Sequence, residues 1–176
     1  QLLLLIIVSL SVSSANAQFD LPGTDIWQVQ LQENKQGNYE LDPNQAPIQL
    51  THYRGYDNQP SFSADGQWLY FTRGDESGYT NIYQLNLLEP QTAAFPVSST
   101  PLSEFSPQWQ TWDGKPSLFM VQVQASGEQW LISMDLSTKK VSRVNDATAV
   151  GYFSRYQGGV FQFIVSDPIY AEIRPE

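Results

Sequence analysis

Gly66, Gly114 and Gly159 each stand at the head of an apolar run, spaced 48 and then 45 residues apart. Gly66 follows Asp65 and precedes QWLYF; Gly114 follows Asp113 and precedes KPSLFMV; Gly159 follows Gly158 and precedes VFQFIV. A corner that returns at a fixed period constrains a chain more than any single strand. Each repeat must then be one supersecondary unit that buries its apolar surface on its neighbours. Further features recur with the corner. NIYQLNL (81–87) follows the first and QWLISMDL (129–136) the second, while DIWQVQL (25–31) fills the same slot of an earlier unit. An aromatic with a nearby proline precedes the first two corners, in QPSF (59–62) and SPQW (106–109). The third unit carries GYFSRY and no proline.

Within the repeats the apolar period is two. Phe119, Val121 and Val123 share one face of SLFMVQV, and Trp130, Ile132, Met134 and Leu136 share one face of QWLISMDL. That alternation is what a strand with a buried face requires. WLYFT (68–72) is apolar on both faces, as expected of a strand between two neighbouring sheets. No segment after residue 18 has a helical period, so the chain is read as all-β. Short strands at a period near 45 residues are the signature of a β-propeller blade. The Asp-Gly corner then joins a blade's innermost strand to its second. Asp hydrogen-bonds the corner locally, and Gly accepts positive φ without steric cost.

The stretch LTHYRGYDNQPSFSADGQWLYFTRGDESGYTNIYQLNL (50–87) resembles a blade of the TolB-like, WD40-like propellers. Leu50, Thr51, Pro60, Phe62, Ser63, Asp65, Gly66, Phe71, Ile82 and Tyr83 occupy that family's motif slots, whereas Ala64 and Asn81 depart from its proline and aspartate. The resemblance implies a ring of six blades. It also implies a non-enzymatic role in the cell envelope, where the family's propeller contacts a peptidoglycan-associated lipoprotein. The expected division is a half-blade at 25–52, blades at 59–98 and 106–145, and a part-blade at 150–176. Residues 18–176 thus hold three to four blades, fewer than the family's six, and a fragment of a longer protein is expected.

Ahead of them, LLLLIIVSLSV (2–12) has the length of a signal-peptide apolar core, and Ala15-Asn16-Ala17 supplies a cleavage pattern. Residues 1–17 are therefore read as an export signal. With no cysteine in the chain, a periplasmic protein of a Gram-negative bacterium is expected, with no membrane insertion after cleavage. Nine basic against eighteen acidic residues, a net charge of −9, argue against nucleic acid as a partner.

Chemical motifs are scarce. His52 is the single histidine, and the chain has neither a G-x-S-x-G elbow nor H-E-x-x-H. Asp65 and Asp113 are assigned to corners. Asp57, just before an innermost strand, is the candidate to face a central channel. The loop RGDESGYTN (73–81), with Asp75 and Glu76, is the place where Ca²⁺ would be held if anywhere. Tyr53, Tyr56, Trp109 and Trp112 lie near turns or strand ends and are the candidate exposed binding aromatics. The expected activity is binding of an envelope or periplasmic protein, a peptide or a glycan. The alternative is a propeller hydrolase, or the propeller part of a secreted peptidase.

Overall fold

The computed structural model describes residues 3–9, 21–74, 76, 78–156 and 159–175. Every regular element among them is a strand. An opening sheet contains β1 (Leu3–Ser9), β2 (Thr24–Glu33), β3 (Tyr39–Leu41) and β4 (Ile48–Gln49), with β2 pairing the other three. The apolar segment read as an export signal runs as β1 antiparallel to β2, from Leu3 opposite Gln30 to Ser9 opposite Thr24. Ala15-Asn16-Ala17 lies outside the described residues.

Three blades follow. The first is β5 (Asp57–Phe62), β6 (Trp68–Gly74), β7 (Thr80–Asn86) and β8 (Phe95–Pro96). The second is β9 (Ser103–Trp112), β10 (Lys115–Val123), β11 (Gln129–Asp135) and β12 (Val141–Arg143). The third is β13 (Val150–Tyr156), β14 (Gly159–Ile164) and β15 (Tyr170–Pro175). In each, the strands pair antiparallel in chain order.

The corners behave as their chemistry requires. Ser63 Oγ donates to Asp65 Oδ1 (2.5 Å), which also accepts from the Gln67 N–H (3.0 Å), and Gly66 turns the chain at φ 68°. The second corner is tighter. Asp113 and Gly114, at φ 48° and 70°, form a two-residue turn between the paired Trp112 and Lys115. Positive φ at both central residues matches the twist of the flanking strands. Gly158, at the third corner, lies outside the described residues.

Blade-to-blade packing explains the two-sided strands. Leu69 and Phe71 face back onto Ile26 and Leu50, while Tyr70 faces forward into a cluster with Leu118, Met120 and Ile132. One blade on, Leu118 and Met120 face back in that same cluster, and Phe119 and Val121 face forward onto Val150, Val160 and Ile164. The third blade repeats the pattern with Val160 and Ile164 facing back. Its forward positions, Phe161 and Phe163, are 44% and 38% exposed. Gln162 stands where Phe71 and Met120 stand in the earlier blades. It is fully buried, and neither side-chain amide atom has a hydrogen-bond partner.

The inner strands are kinked alike. Gln59 and Ser106 hold φ 56° and 55°, each just before a proline and beside a register shift. Gln59 Oε1 accepts from the Ser106 N–H (2.8 Å), so the side chain of one kinked residue holds the backbone of the next. At the following joint Gln108 Nε2 donates to the Phe153 carbonyl (2.8 Å).

Candidate functional site

First strands begin, second strands end and third strands begin at the same end of the blades. There the inner strands leave a cavity of about 340 Å³. Tyr56 and Gln59 wall it from the first blade, Phe105, Val121, Val123 and Gln129 from the second, and Gly151, Tyr152 and Val165 from the third. Gly151 sits so close to Val165 that a Cβ would lie 2.6 Å from its Cγ1, so glycine keeps this wall in place. Burial pushes the Tyr56 phenol up, and the neighbouring Tyr152 adds to the shift. Phe105, Val123 and Gln129 also wall a second cavity, of about 550 Å³, that reaches out to Leu21, Tyr79, Leu102 and Ala125. Among the described residues, no charged side chain lines either cavity. An apolar hollow with a few hydroxyls and amides is suited to holding an uncharged ligand in one orientation.

Two buried acids lie in this end of the blades. Asp57, the first residue of β5, is 0% exposed, and both its oxygens accept from Arg73, at 2.6 Å each. The guanidinium is stacked over Tyr53, Tyr83 and Phe71, with centroids 4.5, 4.8 and 5.2 Å away. Burial raises the Asp57 carboxyl and the two N–H donors of Arg73 oppose that rise. Glu104, in the second blade, is also 0% exposed. Its Oε1 accepts from Gln122 Nε2 (3.0 Å) and Thr100 Oγ1 (3.2 Å), while Oε2 has no partner. Burial pushes this carboxyl up, against the hydrogen bonds from Gln122 and Thr100.

Of the candidate binding and channel residues Tyr53, Tyr56, Trp109, Trp112 and Asp57, only Tyr56 lines this mouth formed by the two cavities. Asp57 is closed off rather than turned to a channel, because the residue opposite it on β6 is Arg73. The four aromatics expected to be exposed are all half-buried. Tyr53 covers Arg73. Trp109 packs inward beside Leu118, since the kink at Ser106 and Pro107 shifts the alternation of β9. Trp112 lies edge-on to Phe119 (5.2 Å) and under the Arg155 guanidinium (4.6 Å). His52 is exposed in the linker between β4 and β5 and lines neither cavity. Asp75, the key residue of the calcium expectation, lies outside the described residues. Among the described residues no three His, Cys, Asp or Glu side chains converge as a metal site would require. Tyr152 and Phe105 were not singled out in the sequence. Both sit at the start of an inner strand, one unit apart, and the register of the repeat is the signal that would have found them.

No family model and no curated protein matches the chain. Solved structures do. A TolB structure from Agrobacterium tumefaciens is 12% identical, over 89% of this chain and 53% of its own length, with a TM-score of 0.60. A puromycin-hydrolysing peptidase from Mycobacterium tuberculosis is 15% identical, over 85% of this chain and 22% of its own length, with a TM-score of 0.56. At such identities the likeness is one of fold. The fold is that of a TolB-like β-propeller, of which the described residues form a part. The chain spans about half the length of that TolB.

Proposed function

We propose that the protein is a non-enzymatic binding scaffold of the bacterial cell envelope, acting in the periplasm. It takes an uncharged, extended segment of a partner protein at the mouth of the inner strands. The observation that carries the reading is the lining of the two adjoining cavities: aromatic and aliphatic walls, with Gln59, Gln124 and Gln129 as polar points. Side-chain amides can both donate to and accept from a peptide backbone. General acid–base catalysis needs a titratable group within hydrogen-bond reach of the reacting atoms. The walls carry the phenols of Tyr56, Tyr79 and Tyr152 but no carboxylate, imidazole or amine, the two buried acids of this region being paired with arginine or enclosed. The likeness to a TolB supports an envelope protein as partner, and the apolar run ahead of Ala15-Asn16-Ala17 supports export.

The test is capture of partners by the natural protein, crosslinked in its own periplasm, beside an Ala125→Trp variant. Ala125 is an exposed turn residue on the wall of the larger cavity, so the indole plugs it without entering the core. One envelope protein should be enriched by the parent protein, with or without chelator, and at least tenfold less by the variant. Peptide or ester hydrolysis by the purified protein, abolished by the same variant, would replace the scaffold reading with a hydrolase.

A further inference from the structure

The repeat allows each corner of one blade to be compared with the same corner of the next. In the first blade, Trp68 on β6 and Phe95 on β8 meet edge to face, with centroids 6.0 Å apart, and fill the forward outer corner. The register of the hairpins puts Ser117 and Ser142 at those two positions in the second blade. Two large rings are replaced by two hydroxymethyl groups, and a hollow of about 170 Å³ opens there.

Its lining is unlike that of the mouth, and no residue is shared between them. Ser117 and Ser133 are only 2% and 7% exposed, yet their hydroxyls have little to hold. Ser117 Oγ reaches the Lys115 carbonyl at 3.3 Å and Ser133 Oγ the Ser142 carbonyl at 3.5 Å, both long for an O–H donor. Buried hydroxyls so weakly satisfied are poised for another partner. Asp113 and Asp135 add two carboxylates, Lys115 and Lys140 two ammonium groups, and Trp112 one aromatic wall. Asp135 is held ionised chiefly by the Thr138 N–H, which with the Ser137 N–H binds its Oδ1. Its Oδ2 stands 3.9 Å from Lys115 Nζ. The charges cancel, so neither a lone anion nor a lone cation is favoured.

We propose that this pocket binds a single neutral sugar ring. Vicinal ring hydroxyls both donate and accept, which suits carboxylates and ammonium groups side by side with serine hydroxyls. Trp112, fixed by Arg155 and Phe119, offers an apolar wall to the C–H edge of the ring.

The test is saturation-transfer NMR on the full natural chain with glucose, galactose and N-acetylglucosamine in turn, and with glucosamine and gluconate as charged comparators. At least one neutral sugar should show transfer. Ser142→Phe, which restores the ring found at the equivalent corner of the first blade, should weaken that sugar at least tenfold. Asp135→Asn keeps the Oδ1 that caps the turn, removes the charge, and should weaken it by a similar factor if the larger variant fails to fold. The proposal is overturned by silence from all three neutral sugars, by tighter binding of a charged comparator, or by a signal that survives both substitutions.

Discussion

Asp57 and Glu104 occupy the same position one blade apart, but only Asp57 faces an arginine. Across β5 and β6 Asp57 lies opposite Arg73, and across β9 and β10 Glu104 lies opposite Gln122. One repeat unit thus encloses an ion pair where the next encloses an acid with neutral partners.

The difference sets the pH response of the second joint. The folded-state pKa of Glu104 is raised, so its stabilising contribution is complete below the unfolded value of about 4.3. It is lost as pH rises from there through the folded pKa, because the folded state must then enclose a carboxylate that no cation balances. Urea midpoints across mildly acid to neutral pH should fall with rising pH in the parent protein and lie flatter in Glu104→Gln. Gln122→Arg, which installs the partner that Asp57 already has, should raise the neutral-pH midpoint. A parent profile as flat as that of Glu104→Gln would refute the account.

Removing the arginine of the first joint is expected to be costly. Arg73→Ala leaves the buried Asp57 carboxylate unpaired, a change worth about 3–5 kcal/mol of stability. Arg73→Lys should recover little, since an ammonium group can neither fork across both oxygens nor stack flat on Tyr53 and Tyr83. Thermal unfolding of the two variants with Asp57→Asn distinguishes a paired charge from packing alone: Asp57→Asn combined with Arg73→Ala should be milder than Arg73→Ala by itself.

Gln162 offers the opposite case, a substitution expected to stabilise. Its amide is buried without partners, and its counterparts in the earlier blades are Phe71 and Met120. Gln162→Met relieves two stranded polar atoms and should raise stability by about 1–3 kcal/mol. A lower melting temperature would show that the amide has a role in holding the third blade.

The forward face of the third blade makes a prediction about behaviour in solution. Tyr152, Phe161, Phe163 and Ile173 are exposed there, whereas the counterparts of Phe161 in the earlier blades, Tyr70 and Phe119, are buried. Residues 18–176 produced alone should self-associate through this face. Phe161→Lys combined with Phe163→Lys should return them toward monomer, as sedimentation velocity would report.

Much of the architecture was legible because propeller blades repeat in sequence as they do in space. The Asp-Gly corners and the alternation in SLFMVQV and QWLISMDL each follow from local chemistry. The inner strands read less clearly. DNQPSF and SEFSPQWQTW mix polar and apolar residues, and a kinked residue before each proline resets which side faces in. That reset turned Trp109 inward. Asp57 misled for another reason: its surroundings depend on Arg73, sixteen residues away, and the cross-strand pairing becomes visible only once the register is known. The mouth was hidden because its walls come from three blades.

The two glutamines that tie the inner strands, Gln59 to Ser106 and Gln108 to Phe153, act as spacers of fixed length. They come from different positions of the repeat, Gln59 accepting through its Oε1 and Gln108 donating through its Nε2, yet each crosses one joint between blades. Asparagine would be one methylene too short to reach across, and the hydrogen bond between the blades would be lost, at a cost of about 0.5–1.5 kcal/mol. Adjacent inner strands are thus joined directly by a side chain as well as through the apolar packing between blades.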